Sequence, residues 1–147
     1  MVKILFVGLG SIAKRHIKNI RRLYPECSIA VLRSHSKDSN VGNLENSLEN
    51  IFLNEEDGLR WNPDVVFITN PSPFHIDIAM LFAKAGCDLF MEKPLADTLK
   101  GVDELIAECE KRKLVLMVGY CLRFLKPLQI VKTVLAEGRL GQILSVR

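Results

Sequence analysis

The chain has 147 residues, 48% of them apolar and 25% charged, with 20 Lys and Arg against 17 Asp and Glu. That length suits one domain, long enough to bury about two thirds of the surface its unfolded form exposes without a metal or disulfide staple. A net charge of +3 is too small an excess to argue for nucleic acid or an anionic membrane, and no apolar run approaches the roughly 18 residues of a membrane span.

Met1-Val2-Lys3 runs straight into a strand-like stretch with no secretory leader pattern, so a soluble cytoplasmic protein is expected. Cys27, Cys87, Cys109 and Cys121 form neither a Cys-x-x-Cys pair nor a metal-ligand spacing. They are expected to be buried, reduced thiols, and no metal site is expected.

Short β-branched runs alternate with stretches of helical period, the pattern of a parallel sheet with crossover helices. Val2 to Val7 is the first strand. It meets Gly8-Leu9-Gly10, after which Ile12, Ile17, Ile20 and Leu23 mark one side of a helix that stops before Pro25. Lys14, Arg15, Lys18, Arg21 and Arg22 give that helix a solvated basic face. Ser28 to Leu32 is the second strand. Residues 33–43 are polar and read as a surface loop before a short helix near Leu44 to Asn50. A third strand is expected near Ile51 to Leu53 and a short helix around Glu55 to Trp61.

Val65 to Thr69 is a continuous apolar run of the kind expected for a strand buried on both faces. In Asn70-Pro71-Ser72-Pro73, Ser72 can cap a helix whose first position Pro73 occupies, and that helix ends at Gly86. Asp88 to Met91 forms the fifth strand. A helix from about Thr98 to Lys113 carries Leu99, Val102, Leu105, Ile106 and Cys109 at helical spacing. Leu114 to Val118 is the sixth strand, and a helix from about Leu125 to Glu137, with Pro127 in its first turn, ends at Gly138. Gln142 to Val146 reads as one more strand. Six strands suit a doubly wound α/β sheet in the order 3-2-1-4-5-6, with right-handed crossovers; the seventh has no place in that plan.

Gly8-Leu9-Gly10-Ser11-Ile12-Ala13 matches the dinucleotide fingerprint in its Ala-ending form, and it stands between a strand and a helix as the mechanism requires. Gly8 permits the tight turn, Gly10 leaves room for a pyrophosphate, and Ala13 lets the helix pack close to the sheet. The helix start at Ser11 and Ile12 turns unpaired N–H groups and a positive dipole end toward phosphates. An NAD-preferring domain usually has an acidic residue roughly 20 positions further on, at the end of the second strand. Arg33 and Ser34 stand there instead, with Lys37 and Asp38 nearby. A guanidinium and a hydroxyl suit a 2′-phosphate, so NADP(H) is the expected cofactor and NAD(H) the second choice; a solvated Arg at a strand end is the alternative.

Three further segments fall at the carboxyl ends of the expected strands, the edge where open α/β sheets bind ligands: Thr69-Asn70-Pro71-Ser72-Pro73-Phe74-His75, Glu92-Lys93-Pro94-Leu95-Ala96 and Gly119-Tyr120-Cys121-Leu122-Arg123-Phe124. With the glycine loop, and in this order, they closely resemble the amino-terminal half of the glucose-fructose oxidoreductase and inositol dehydrogenase family, written Gfo/Idh/MocA. The likeness covers almost the whole chain. It implies a Rossmann fold and a nicotinamide cofactor that exchanges hydride with a hydroxyl-bearing carbon, usually of a sugar or cyclitol. It also implies that Asn70 and Pro71 border the cofactor, that His75 lies by its phosphate or ribose side, and that Glu92 contacts the nicotinamide ribose. Lys93 would hydrogen-bond the reacting hydroxyl or its relay, Pro94 would follow a cis peptide bond, and Arg123 would lie at the substrate rim.

Each assignment has a structural alternative. Lys93 can be a solvated loop charge, His75 can pair with backbone at a helix start, Arg123 can anchor a carboxylate and Tyr120 can be packing. Members of the resembled family continue for about as many residues again, into a second α/β domain that supplies much of the substrate pocket and commonly the oligomer interface. Residues 1–137 are therefore expected to form the dinucleotide-binding domain, and residues 138–147, which include Gly138-Arg139-Leu140-Gly141-Gln142-Ile143, to begin the crossing into a substrate domain beyond them. The rival function is a non-catalytic dinucleotide-binding or regulatory module.

Overall fold

The computed structural model describes residues 1–33 and 47–145. Six parallel strands make one sheet in the order β3-β2-β1-β4-β5-β6. They are β1 (Lys3–Val7), β2 (Ser28–Leu32), β3 (Asn50–Phe52), β4 (Val65–Ile68), β5 (Asp88–Met91) and β6 (Leu116–Val118). Helices α1 (Ser11–Leu23), α2 (Glu55–Arg60), α3 (His75–Lys84), α4 (Val102–Arg112) and α5 (Lys126–Ala136) follow β1, β3, β4, β5 and β6 in turn. This is the doubly wound Rossmann order expected from the alternation of apolar runs and helical periods. Direction along the sheet reverses at β1, which pairs with β2 on one side and β4 on the other.

The pleat sends alternate residues to opposite faces. Leu5, Val7, Ala30, Leu32, Val66, Ile68, Leu89 and Met91 form one core with Ala79, Phe82 and Ala83 of α3 and Leu105 and Cys109 of α4. On the other face Ile4, Phe6, Ile29 and Val31 pack against Ala13 and Ile17 of α1. Phe6, Phe67 and Phe90 continue that face as a row of stacked rings, with centroids 4.7 and 4.6 Å apart. Val65 and Phe67 are only half-buried, so β4 is not sealed on both sides as its apolar run suggests. α5 packs principally on the short 3-10 turn Cys121–Phe124, and its Leu128, Ile130 and Val131 remain exposed. Among the described residues no helix is long and apolar enough to cross a membrane.

Several expectations are corrected. α4 begins at Val102 rather than Thr98, because Gly101 stands at φ +79°, in the left-handed region, and stops the helix from extending back; Leu99 is 88% exposed instead of joining the apolar face. Ser72 does not cap α3 and Pro73 does not open it: both lie in a 3-10 turn, Ser72–Phe74, that Pro71 caps, and Phe74 stands at the cap of α3. Leu23 is exposed at the end of α1. Residues 142–145 form no strand, since no neighbouring strand offers them a ladder; Val146 lies outside the described residues. Most of the polar loop at 33–43, and residues 44–46 of the expected short helix, also lie outside them, and Asn50 is already in β3.

Cys27, Cys87 and Cys109 are free and buried as expected, whereas Cys121 is exposed on its turn. Burial, with Asp64 and Asp88 nearby, pushes the Cys87 thiol up to about 11, and its Sγ–H donates to the Pro63 carbonyl at 3.2 Å. Burial, with Glu108 and Asp88, also raises Cys109. The folded state holds these protons more tightly than the unfolded chain does. Their contribution to stability is therefore complete below the ordinary thiol pKa and is lost as pH rises toward 11. A thiol-disulfide reagent at pH 8 is expected to modify Cys121 quickly and the other three only after unfolding in guanidinium. Fast native-state labelling at Cys87 would contradict the burial argument.

Candidate functional site

The carboxyl end of β1 is where the glycine loop meets the reversal of strand order, the place where open α/β sheets leave a crevice. Gly8 donates its N–H to the Leu32 carbonyl at 2.8 Å, which ties the loop to the end of β2. Its φ of +89° favours glycine, and a Cβ there would lie 3.1 Å from the Asn70 backbone. Thr69 closes the other side, its hydroxyl donating to the Val7 carbonyl at 2.8 Å. The turn is thus held between β2 and β4.

Gly10 has a different reason to be small. Its backbone is extended, and a Cβ added to it would meet no atom of the described chain within 4 Å. Packing does not require glycine here, whereas a ligand approaching the backbone would. α1 begins directly after it with no side-chain cap and no acidic residue in its first turn. The first intrahelical bond runs from the Lys14 N–H to the Gly10 carbonyl, so the N–H groups of Ser11, Ile12 and Ala13 precede the helical ladder. Asn70 adds a second sign of a ligand: its Oδ1 is buried and has no hydrogen-bond partner among the described residues. An orphaned buried acceptor costs roughly 1–3 kcal/mol unless something donates to it. An open cradle, a positive helix end and a waiting acceptor fit a dinucleotide with anionic phosphates and ribose hydroxyls.

The other expected site residues fall around this crevice. Arg33 follows β2 directly, is half-buried, and donates its main-chain N–H to the Phe52 carbonyl at 3.0 Å; Ser34 lies outside the described residues. Pro71 is exposed beside Asn70. His75 is only 1% exposed, and its ring nitrogens lie 2.8 Å from the Asn70 carbonyl and 3.0 Å from the Pro94 carbonyl. Both partners are acceptors and a neutral ring carries one N–H, so it donates to one carbonyl while standing against the other, between the loop after β4 and the loop after β5. Lys93 is exposed, and the Lys93–Pro94 peptide is cis, as the resemblance implied. Tyr120 and Arg123 are exposed on and beside the 3-10 turn after β6.

Glu92 supplies the carboxylate of the group, its side chain 13% exposed. One oxygen lies 2.7 Å from His16 Nε2 on α1, and the other accepts the Lys93 main-chain N–H at 3.2 Å. His16 escaped the sequence reading. The available signal is its position three residues after Ala13 and one before Ile17, on the sheet-facing side of α1. Among the described residues no cluster of His, Cys, Asp and Glu could hold a metal ion.

A parallel sheet with a ligand-ready glycine loop at its reversal point defines a dinucleotide-binding Rossmann domain. A family model, GFO_IDH_MocA, described as an oxidoreductase family with an NAD-binding Rossmann fold, matches residues 2–120, and the chain belongs to that family. It is 30% identical over 139 residues to an uncharacterized oxidoreductase, YrbE, of Bacillus subtilis, covering 92% of this chain and 40% of that protein. Scyllo-inositol dehydrogenase from Lactobacillus casei, solved with NAD(H) and scyllo-inositol, is similar at 25% identity with a TM-score of 0.82 over 97% of this chain and 43% of that one. The WlbA dehydrogenase from Bordetella pertussis, solved with NADH and UDP-GlcNAcA, is similar at 26% identity and TM-score 0.83, over 97% of this chain and 44% of that one. The chain thus spans about two fifths of the length of these relatives.

Proposed function

We propose that the chain is the cofactor-binding half of a nicotinamide-dependent oxidoreductase that transfers hydride to or from a carbon bearing a sugar- or cyclitol-like hydroxyl or carbonyl. The observation that carries this reading is the glycine loop itself: Gly10 is free of any packing reason to be glycine and stands at an uncapped helix start beside the orphaned Asn70 Oδ1. The cofactor supplies the hydride chemistry when bound. The N–H groups of Ser11 and Ile12 would receive its pyrophosphate, with Gly8 and Gly10 keeping the backbone clear, while Asn70 and Pro71 border it. His75 would act through the two loops it stands between, and Glu92 through the turn that carries Lys93. The Lys93 ammonium would stabilise charge developing on the reacting oxygen, and Arg123 would stand at the substrate rim. The substrate class comes from relatives solved with scyllo-inositol and UDP-GlcNAcA.

Residues 1–137 would be the dinucleotide domain and 138–147 the start of a crossing into a substrate domain. The exposed apolar side chains of α5 and the length of the relatives support that division. Its place of work would be the cytoplasm, in keeping with cysteines that are all unpaired.

Cofactor choice follows from the end of β2. Arg33 stands beside the glycine loop through the Gly8–Leu32 bond, where an aspartate would repel a 2′-phosphate. NADPH is expected to bind more tightly than NADH in paired calorimetric titrations. Arg33→Ala is expected to cost NADPH about tenfold or more, the worth of one charge-assisted hydrogen bond, and NADH little. Equal affinities in the unaltered chain would defeat the NADP(H) reading and leave the dinucleotide site intact; binding of neither would defeat the site.

A further inference from the structure

We infer that His16 is a positioning residue that fixes the Glu92 carboxylate and, through it, the turn carrying Lys93. The inference deepens the functional reading above and rests on it for the role of Lys93. His16 shares the face of α1 that carries Ala13 and Ile17, which are fully buried, and this face looks onto the sheet. Two phenyl rings set its orientation: Phe67 of β4 lies tilted at 5.7 Å and Phe90 of β5 edge-on at 5.2 Å, centroid to centroid. An ionised carboxylate can only accept, so Nε2 carries the proton and donates to Glu92 Oε1. With the two side chains 20% and 13% exposed, water competes little for the bond.

Gly119, just past β6, leaves room for this carboxylate. A Cβ there would stand 3.4 Å from Oε1 and 3.3 Å from the Phe90 ring. Glu92 is thus held by His16 of α1 on one oxygen, with its second oxygen directed at the Lys93 N–H. α1 is also the helix whose amino end faces the glycine loop. The bond between His16 and Glu92, 76 positions apart in sequence, therefore sets the Lys93 turn relative to the cofactor-binding end of that helix. Without the imidazole donor the carboxylate is free to rotate toward water and release the Lys93 N–H.

The 147-residue chain is the material for the test, with His16→Phe, which keeps a ring against Phe67 and Phe90 but cannot donate, and His16→Gln, which keeps a donor. Exchange of the Lys93 amide proton by NMR reads the turn, and NADH titration reads the site. His16→Phe is expected to speed Lys93 exchange and weaken NADH binding by about tenfold each, the effect of one lost hydrogen bond to a charged group. His16→Gln is expected to restore both to within about threefold, and His16→Phe should add nothing in a Glu92→Ala background. Unchanged Lys93 exchange in folded His16→Phe, or additive effects in the double variant, would overturn the inference. Should His16→Phe fail to fold, Glu92→Ala decides: faster Lys93 exchange supports the link and unchanged exchange overturns it. Should the unaltered chain bind neither NADH nor NADPH, the functional reading falls, while Lys93 exchange still decides the positioning role.

Discussion

Gly10→Val is expected to weaken dinucleotide binding by at least about a hundredfold while leaving the chain folded. At Gly10 the φ of −71° suits any residue, and the space above it holds no atom of the described chain within 4 Å, so the fold has no objection to a valine. The objection comes from the ligand. Two methyl groups would stand where a pyrophosphate must approach the first N–H groups of α1. Losing two hydrogen bonds to a charged group is worth roughly 3–6 kcal/mol, which sets the expected loss of affinity. Gly8→Ala is the opposite case. A φ of +89° and a Cβ 3.1 Å from the Asn70 backbone predict a cost of about 2 kcal/mol or more in stability, seen as a thermal midpoint lowered by roughly 5 °C or more. Circular dichroism melts and NADH titrations of both variants separate the two roles. Undiminished binding by folded Gly10→Val would move the site elsewhere.

The contrast shows what a sequence can carry. Both glycines belong to one fingerprint, and their spacing between an apolar run and a helical period is enough to name the loop and the sheet order. The pattern also separates the glycine that the turn requires, Gly8 at φ +89°, from Gly10, where the fold itself requires none. The start of α4 is less legible. Leu99 fits the helical period of Val102, Leu105 and Cys109, yet Gly101 in the left-handed region ends the helix on its amino-terminal side, and a φ value is not visible in a period. Ser72 likewise has the chemistry of a cap, but the chain makes a 3-10 turn before the helix begins. Cys121 reads as a buried thiol by residue type and is exposed because its turn lies beyond the last strand. His16 was illegible for a different reason: its meaning depends on Glu92 and on two aromatic rings brought beside it by β4 and β5. Periodicity says that His16 faces the sheet, and only the strand order says what it meets there.

The second large effect concerns turnover. The 147-residue chain is expected to bind dinucleotide and yet to oxidise no polyol or sugar at a useful rate. Hydride transfer needs the substrate carbon held against the nicotinamide and water kept away, and correct orientation alone is worth about 7–11 kcal/mol of barrier in favourable cases. The described surface supplies one wall only. Lys93 and Pro94 are exposed, Tyr120, Leu122, Arg123 and Phe124 project beyond the end of β6 with no covering element among the described residues, and Leu128, Ile130 and Val131 of α5 are open to solvent beside them. The relatives, which this chain spans to about two fifths, include proteins solved with both cofactor and a cyclitol or nucleotide sugar. The same uncovered apolar side chains should make the chain self-associate, since exposed apolar surface of this extent marks interfaces. Sedimentation over a concentration series reads the association, and Ile130→Glu with Val131→Glu should abolish it. Absorbance at the nicotinamide band, followed over a panel of inositols and sugars with saturating NAD or NADP, reads the chemistry. Robust turnover by the purified chain would mean that its own residues close the site, and would turn attention from a second domain to Tyr120, Arg123 and Lys93 as a complete catalytic set.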